Sequence, residues 1–526
     1  MPSPMPSLIT DVIASLACFA ILNALILRAR ASKLPLPPGI PGFPLIGNIL
    51  QIPISDEPEV FRRWGEQYAS GSGLIHLNMV GHSVIIINSA KVASDLLDKR
   101  SRIYSSRPPT PMLCDLMGWD WNFGLQPYGD KWRTRRRIFL QSFNPNAAQQ
   151  FRPQEIKATH FLLGRLLDNP EAFIVHLRHH AAEVIMSIAY GIAIEPHDDP
   201  YVSLAEHATK PAMDAMVPGA FLVDALPCLK YIPSWMPGAG FKRKAREWKN
   251  LSLRSANEPF PAGKQMIESG EFIPSFISLA LGNIDGNIHE SERQEKEKLV
   301  RDAAGAMYIA GADTTVAAIA SFIFAMLAAP EAQRKAQEEL DRVVRPGQLP
   351  SFDNEKSLPY VTAVVWESLR WKNVAPLAVP HYLEEEDEYN GYRIPKHAIV
   401  VGNVWAILHD ESLYPEPFAF KPERYLKKLN DVVQINETVK DPTFAAFGFG
   451  PRICPGRHMA YSSVWIAIAS ILKTFDISKA ADDHGNVIEP VYKPQSPIIA
   501  TPLPFKCSIK PRSKEAEELV ISNARL

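Results

Sequence analysis

The chain lacks the short motifs of several common protein classes. Neither a Cys-x-x-Cys pair nor a Gly-x-Gly-x-x-Gly run occurs in its 526 residues, which argues against zinc, thioredoxin-type and dinucleotide-binding sites. Its five cysteines are widely spaced and odd in number, a pattern typical of thiols in a reducing compartment. Basic and acidic residues nearly cancel, 56 against 57, so no concentrated basic charge points to nucleic acid.

Repeats, low-complexity tracts and a second linker are also absent from about residue 45 onward. The composition instead provides 46% hydrophobic residues, enough to bury a large core. The 46 prolines exceed the usual share and indicate many connecting segments around a helical body. We therefore expect one large domain over residues 45–526.

Residues 8–27 form a largely apolar run whose 20 residues, as a helix, would match a hydrocarbon core of about 30 Å. Arg28, Arg30 and Lys33 follow the run and no basic residue precedes it, so the positive-inside rule places the body in the cytosol. A cleaved signal peptide would have a basic start, and a helix on the membrane surface would carry a charged face. We predict that residues 1–33 form a single-pass transmembrane anchor with a basic flank.

A proline-rich segment, residues 34–44, follows the predicted anchor. Its five prolines fix φ and favour a stiff, extended hinge. Sequons at Asn250 and Asn436 are predicted to be unglycosylated because the body faces the cytosol.

Two short alternating runs, residues 74–78 and 83–88, predict strands joined by a turn at 80–82. Longer apolar patterns at 298–329, 331–344 and 358–372 predict helices, with Pro330 and Pro359 at their boundaries. The sequence thus predicts a mainly α fold with small β-sheets.

The most informative stretch surrounds Cys454. It fits the pattern Phe-x-x-Gly-x-Arg-x-Cys-x-Gly through Phe447, Gly450, Arg452, Cys454 and Gly456. Glycines let the backbone approach a sulfur and a macrocycle closely, and the guanidinium fork of Arg452 suits a haem propionate. A thiolate that donates to haem iron favours O–O bond cleavage. The alternative is a glycine-rich turn with an incidental cysteine.

This stretch resembles the haem-binding loop of the cytochrome P450 superfamily, and the hinge resembles that of its microsomal members. The resemblance implies a haem-thiolate fold, haem b with Cys454 as the axial iron ligand, and monooxygenase activity. It also implies a single-pass location in the endoplasmic reticulum membrane with the catalytic domain facing the cytosol. Residues 119–143 and 241–248 look like those of basidiomycete members that act in secondary metabolism or on xenobiotics. Implied cofactor contacts in the loop are Phe447, Gly448, Arg452 and Gly456.

A polar stretch interrupts the predicted helix 298–329. Gly311 weakens a helix by about 1 kcal/mol relative to Ala, and a Thr hydroxyl can bond to the carbonyl four residues earlier and open the helix locally. Residues 310–315 match the family motif Ala-Gly-x-Asp-Thr-Thr. The resemblance implies that Thr314 hydrogen-bonds at the site of oxygen activation and that Asp313 relays protons. The alternative is a polar kink in a core helix.

The family's Glu-x-x-Arg pattern fits Glu367 and Arg370. The resemblance implies that both form a buried structural triad with Arg424. The same spacing occurs elsewhere, and we expect those pairs on solvated helix faces: Glu59/Arg62, Glu290/Arg293, Glu331/Arg334 and Glu339/Arg342.

Further haem contacts follow from the same resemblance. Trp132 and Arg136 fit the family's Trp-x-x-x-Arg and would share a helix face. His381 occupies a position where relatives have Arg or His; the alternative is an exposed loop histidine.

Electrons should come from a partner, because 72 residues after Cys454 leave no room for flavin domains. The resemblance implies NADPH–cytochrome P450 reductase, with cytochrome b5 as an optional second donor. Four basic residues could dock an acidic reductase or form a plain solvated face: Lys131, Arg133, Arg135 and Arg137.

Substrate contacts are expected from apolar, variable segments, which favour a terpenoid, a polyketide or a polycyclic aromatic compound. These segments are 117–123, 218–223, 306–310, 374–379 and 496–500. The alternative is that several aromatic residues in these segments simply belong to the core. Two other functions stay open. A haem-thiolate isomerase or dehydratase would work without reductase, and a membrane-bound haem sensor would have no turnover; Thr314 and Asp313 argue against both.

Overall fold

The computed structural model describes residues 34–524, except positions 54, 70, 218, 271, 431 and 497. The predicted transmembrane segment 8–27 lies outside the described residues. Within them the fold is mainly helical with four small β-sheets, which confirms that part of the expected fold class. The division into anchor, hinge and catalytic domain stays a prediction.

The described part of the chain contains eighteen α-helices. In chain order they are α1 Glu57–Tyr68, α2 Ala90–Ala93, α3 Ser101–Tyr104, α4 Asp130–Phe143, α5 Arg152–Asp168, α6 Phe173–Tyr190, α7 Pro200–Met216, α8 Leu222–Ala225, α9 Gly240–Asn257, α10 Pro259–Ser269, α11 Phe276–Gly282, α12 Glu290–Ala328, α13 Pro330–Val343, α14 Pro359–Trp371, α15 Val404–Leu408, α16 Thr443–Ala446, α17 Arg457–Thr474 and α18 Lys514–Ala524.

The strands are short. They are β1 Leu74–Met79, β2 His82–Ile87, β3 His381–Tyr382, β4 Asp387–Tyr389, β5 Tyr392–Ile394, β6 Ile399–Gly402, β7 Leu426–Leu429, β8 Val432–Ile435, β9 Phe475–Lys479 and β10 Cys507–Pro511. The largest sheet has the order β1-β2-β6-β3, with β2 parallel to β6. Its first two strands form the predicted hairpin, in which Val80 and Gly81 adopt positive φ, as a tight hairpin turn requires.

Helix α12 is the central helix of the core. Its residues 302–309 and 316–327 are buried, whereas residues 310–315 between them are partly exposed. It begins at Glu290, eight residues before the predicted start at residue 298. The prediction missed these first turns because they are charged and carry no apolar pattern. Among the described residues, α12 alone has the length and composition to cross a membrane, yet most of its apolar window is buried inside the protein, as in a core helix.

The proline-rich segment, residues 34–44, runs along the body. The Pro38 carbonyl accepts from the His76 N–H of β1 (2.9 Å), and the Pro35 carbonyl accepts from the Arg393 N–H of β5 (2.8 Å). A Cβ at Gly39 would lie 1.9 Å from the His76 carbonyl oxygen, so this approach requires glycine. These contacts suit a stiff connector.

Helix α14 begins at a buried carboxylate. Glu339 on α13 accepts from the backbone N–H groups of Tyr360 (2.9 Å) and Val361 (3.0 Å), which have no partner within their own helix. The expectation of a solvated Glu339–Arg342 pair is therefore wrong, because Glu339 is buried. A carboxylate at a helix N-terminus also interacts favourably with the helix dipole.

A second buried carboxyl joins α5 to α17, the helix that follows Cys454. Glu155 is fully buried and accepts from the hydroxyls of Ser462 (2.7 Å) and Ser463 (3.0 Å). Burial raises the pKa of Glu155 to about 8, although both serine hydroxyls and the nearby Arg152 act in the opposite direction. At neutral pH this carboxyl group is therefore mostly protonated.

The substitution Glu339→Ala should lower the free energy of unfolding by about 1–3 kcal/mol, because buried N–H groups lose their acceptor. The measurement is urea-induced unfolding at pH 7. Glu331→Ala, which removes an exposed ion pair with Arg334 on the same helix, should change it by less than about 0.5 kcal/mol. Equal losses in both variants would contradict the assigned role of Glu339.

Glu155 should make stability depend on pH. Because its folded pKa of about 8 lies above the ordinary value of 4.5, the stability contribution of the protonated group is complete below pH 4.5. It is lost as pH rises towards 8. Urea unfolding of wild type and Glu155→Gln between pH 5 and 8 should show wild type losing stability relative to the variant. Parallel curves would exclude a buried proton at this position.

Candidate active site

The cysteine loop, residues 447–456, is a tight segment before α17. A 3₁₀ turn at Gly450–Arg452 and a hydrogen bond from the Cys454 N–H to the Phe447 carbonyl (2.7 Å) draw its ends together. Gly450 has a φ of 55°, and a Cβ there would lie 2.2 Å from the Leu97 carbonyl oxygen. Both backbone conformation and space therefore require glycine at position 450.

Cys454 lies close to groups that favour a negatively charged sulfur. Burial raises the pKa of its thiol, while the Gly456 N–H and the guanidinium groups of Arg136 and Arg457 act in the opposite direction. Positive charge and backbone N–H groups are what stabilise a thiolate. The surroundings of Cys454 thus suit a metal-bound sulfur.

Helix α4 brings Trp132 and Arg136 to the cysteine loop on one buried face. Arg136 donates to the Ile453 carbonyl (2.6 Å). The guanidinium carbon of Arg452 lies 4.4 Å from the centroid of the Trp132 ring. Arg452 also donates to the carbonyl of Ser105 (2.6 Å). The structure therefore brings these three predicted residues together.

His381 lies in the same region, as the first residue of β3. It is buried, and its Nδ1 lies 2.8 Å from the Tyr104 carbonyl oxygen, so the alternative of an exposed loop histidine is wrong. Burial, and then the positive charges of Arg107 and Arg452, lower the pKa of His381 well below its usual value. The histidine is therefore neutral at physiological pH.

Arg107 is a member of this cluster that the sequence analysis missed. It is buried and donates to the carbonyls of Gly124 (3.1 Å), Val379 (2.8 Å) and Pro380 (2.8 Å). An arginine before two prolines carries no recognisable signal in the chain. Only folding brings it against residues more than 270 positions away.

The cluster has an excess of buried positive charge. Among the described residues, neither Arg107 nor Arg136 nor Arg452 forms an ion pair with a carboxylate, and burial lowers the pKa of Arg136 to about 10 and of Arg452 to about 9. Burying unpaired charges is costly. The two propionates of a haem would compensate two of these three positive charges, so these residues fit a haem group.

The partly exposed window of α12 contains the predicted motif. Thr314 Oγ1 donates to the Ala310 carbonyl (2.8 Å), four residues earlier, the back-bonding that the sequence analysis anticipated. A Cβ at Gly311 would lie 2.7 Å from Ile185 Cδ1, so this glycine also permits the close packing of α12 on α6. The helix is therefore open on one side and tightly packed on the other.

Asp313 lies on a different side of α12 from the packed Gly311. Burial raises the pKa of Asp313, an effect that Arg178 on α6 opposes and Glu206 on α7 reinforces. Arg178 and Glu206 form an ion pair of 3.5 Å, with 31% and 44% of their side chains exposed. The carboxyl group of Asp313 thus has charged neighbours that extend to the protein surface.

The three residues of the predicted triad are in contact. Glu367 accepts two hydrogen bonds from Arg370 (2.8 Å each) and one from Arg424 (3.2 Å). Glu367 and Arg370 are fully buried. Arg370 also donates to the carbonyls of Leu408 and Pro417, so the triad ties α14 to the chain that leads to the cysteine loop.

Only part of the remaining expectation about Glu-x-x-Arg pairs holds. Glu331 and Arg334 form an exposed pair of 2.6 Å, as expected. Arg62 instead pairs with Glu66. Together with Glu339, this shows that spacing alone does not determine which partner a side chain finds.

The predicted basic face on α4 needs a correction. Arg135 is only 11% exposed and pairs with the buried Asp302 (2.7 Å), so it cannot belong to a docking surface. Arg133 pairs with Asp130 (2.8 Å) at the surface. Lys131 and Arg137 are exposed. Of the four basic residues predicted to dock a reductase, these two therefore remain candidates.

Several aromatic residues that we expected near substrate belong to the core. Trp119 and Trp121 are buried and stacked on each other, with ring centroids 5.5 Å apart, and Trp121 donates to Ser252 of α9 (3.1 Å). Two other predicted segments do meet, since the Ala500 N–H donates to the Val374 carbonyl (2.8 Å). Residue 497 and residue 218 of these segments lie outside the described residues.

Comparison with known proteins gives consistent matches over nearly the whole chain. The family model for cytochrome P450 matches residues 37–504. Cytochrome P450 monooxygenase 98 of Postia placenta is 45% identical over 524 residues, which covers 99% of both chains. Cytochrome P450 monooxygenase ple1 of Rhodocybe pseudopiperita is 43% identical and covers 93% of this chain and 92% of its own.

Tryptamine 4-monooxygenase of Psilocybe cyanescens is 41% identical and covers 93% of this chain and 95% of its own. All three relatives are fungal proteins that the present chain matches over nearly their full length. These matches confirm the predicted family, the predicted enzyme class and the predicted haem cofactor. The chain belongs to the cytochrome P450 family of haem-thiolate monooxygenases.

Proposed function

We propose that this enzyme inserts one oxygen atom from O2 into a hydrophobic small molecule and receives its electrons from an NADPH-dependent reductase. The observation that carries the proposal is the buried cluster of Arg107, Arg136 and Arg452, which has no carboxylate partner among the described residues and adjoins the Cys454 loop. Such a cluster suits a dianionic cofactor next to a thiolate.

Cys454 would bind the haem iron through its thiolate, and five residues would hold the propionates: Arg107, Trp132, Arg136, His381 and Arg452. When bound, the haem supplies the iron at which dioxygen is activated. The guanidinium groups hold and neutralise the propionates. The Nδ1 of His381 faces the Tyr104 carbonyl and therefore carries the proton of the neutral ring. Its Nε2 would donate to a propionate only where that negative charge favours the doubly protonated ring.

Thr314 and Asp313 are proposed to move protons. The Thr314 hydroxyl donates to the Ala310 carbonyl within the partly exposed window of α12, which fixes its oxygen where it can accept a hydrogen bond and take part in a proton relay. Burial raises the pKa of Asp313 above its ordinary value, which makes this carboxyl group a better proton acceptor than an exposed aspartate. Its charged neighbours Arg178 and Glu206 provide a route from solvent.

The substrate is proposed to be hydrophobic, such as a terpenoid, a polyketide or a polycyclic aromatic compound. Support comes from the contact between segments 374–379 and 496–500 and from the partly exposed window of α12. By its name, the tryptamine 4-monooxygenase among the relatives acts on an aromatic amine. Indole amines therefore belong in a substrate screen beside apolar compounds.

The enzyme is proposed to work on the cytosolic face of the endoplasmic reticulum membrane. Beyond the predicted anchor, several large hydrophobic side chains are exposed, and exposed apolar patches mark interaction surfaces. Two groups among them are Leu45 and Leu50 after the hinge, and Leu222, Leu226, Tyr231 and Trp235 after α7. Lys242 donates to the carbonyls of Lys230 and Ile232 and adds positive charge beside the second group.

The Cys454→Ala variant tests the assignment of the iron ligand. The reduced, carbon-monoxide-bound protein should lose the absorption band that is characteristic of thiolate ligation, because no other sulfur replaces Cys454. Cys507→Ala, which removes another partly buried thiol, should keep the band. Circular dichroism shows whether each variant is folded. A folded Cys454→Ala protein that retains the band would overturn the assignment.

The double variant Lys131→Gln/Arg137→Gln tests reductase docking. At low ionic strength, NADPH-dependent turnover with reductase should fall severalfold, since two exposed charges that steer association are removed, and the difference should shrink at high salt. Lys210→Gln, an exposed change on α7, is the matched control. Identical rates and identical salt dependence in wild type and the double variant would exclude this surface.

A further inference from the structure

A buried ion-pair network joins α4, α9 and α12 beside the proposed haem site. Asp302 on α12 is fully buried, and each of its carboxylate oxygens accepts from a different guanidinium group. Oδ2 accepts from Arg135 on α4 (2.7 Å), and Oδ1 accepts from Arg301 (2.6 Å). Arg301 also donates to Oδ1 of Asn257 (2.9 Å), the last residue of α9. Three helices therefore meet at one carboxylate.

Arg135 has few partners apart from Asp302. Its side chain is 11% exposed, and its Nε is buried without a hydrogen-bond partner. A weak hydrogen bond of 3.4 Å to the Lys131 carbonyl lies within its own helix. Without Asp302 the guanidinium group would be buried and uncompensated, which is costly. Helix α4 could relieve that cost by turning or shifting so that Arg135 reaches solvent.

Such a movement would act directly on the haem contacts. Arg135 and Arg136 are consecutive residues of one helix, so a rotation of α4 about its axis displaces both side chains. Arg136 donates to the Ile453 carbonyl next to Cys454, and Trp132 lies one turn earlier on the same face. Because Trp132, Arg135 and Arg136 share one helix, a loss of the contact between Arg135 and Asp302 would bear on where Arg136 and Trp132 lie.

Helix α12 is the fixed side of this contact. One turn after Asp302, a Cβ at Gly305 would lie 3.0 Å from the Trp121 ring and 3.4 Å from the Cα of Ala256 on α9. The helix is thus packed against its neighbours with no room for displacement. A change at Asp302 is expected to move α4 and leave α12 in place.

We propose that Asp302 is a positioning residue for the haem: through Arg135 it holds α4 so that Trp132 and Arg136 remain beside the cysteine loop. The inference rests on the proposed contacts of Trp132 and Arg136 with the cofactor. It assigns a role to a carboxylate that touches neither haem nor substrate.

The test is the rate at which ferric holoenzyme transfers its haem to excess apomyoglobin. Asp302→Asn should increase that rate about tenfold or more, the size of effect that partners of cofactor-holding groups usually have. Arg135→Gln should give a smaller increase, because Asp302 keeps Arg301 as a partner and no unpaired charge is left at position 135. For the same reason the double variant should release haem more slowly than Asp302→Asn alone. Asp302→Glu, which keeps the charge, should lie closer to wild type.

Two controls separate positioning from general destabilisation. Asp130→Asn removes the exposed pair with Arg133 on the same helix and should leave the transfer rate unchanged. Gln333→Ala removes buried hydrogen bonds to the backbone of Ile477, far along the chain from the cluster, and lowers global stability. If Asp302→Asn loses haem no faster than Gln333→Ala at an equal fall in the urea midpoint, the proposal is overturned.

Arg136→Gln distinguishes this inference from the proposed function on which it rests. Faster haem transfer in Arg136→Gln with an unchanged rate in Asp302→Asn would overturn only the positioning role. An unchanged rate in Arg136→Gln would overturn the proposed contact of Arg136 with the haem.

Discussion

Positive charge buried without a carboxylate is the constraint on which the centre of this protein depends. Arg452 belongs to the cysteine loop, Arg136 donates to its Ile453 carbonyl, and Arg107 lies in a third segment of the same cluster. Backbone carbonyls satisfy part of their hydrogen-bonding capacity, and no carboxylate among the described residues pairs with them. A dianionic cofactor would compensate two of these three positive charges. The folded protein and its haem should therefore stabilise each other, since the binding energy of the cofactor is also energy of folding.

At two other places, a buried carboxylate compensates the charge of arginines and links separate segments of the chain. Glu367 is shared by Arg370 and Arg424, and Asp302 is shared by Arg135 and Arg301. Both carboxylates are buried and have two guanidinium partners each. The first ties α14 to the segment before the cysteine loop, and the second ties α4 to α12. Neighbouring arginines thus differ in role according to whether a carboxylate lies opposite them.

Local motifs could be recognised from the sequence because their chemistry is encoded in consecutive residues. The cysteine loop, the 310–315 window and the hairpin of β1 and β2 all combine a spacing with residue types that few other structures need. Long-range partners could not be recognised in this way. Arg135 was expected at the surface but is buried against Asp302. Glu339 was expected on a solvated face but is buried and accepts from the first N–H groups of α14. Arg107 has no pattern in the sequence that marks it as a member of the cluster.

The sequence by itself determined the family, the mainly helical fold, the cysteine proposed to hold the iron and the residues proposed to relay protons. Each of these depends on side chains that are near neighbours in the chain. The tertiary structure alone decided which charges are paired, which are buried and which stay free at the surface. Pairing depends on distances between segments hundreds of residues apart, and burial depends on what packs over a side chain. Neither quantity is a property of spacing along the chain, so Arg133, Arg135, Arg136 and Arg137 look alike in sequence and have four different surroundings in the fold.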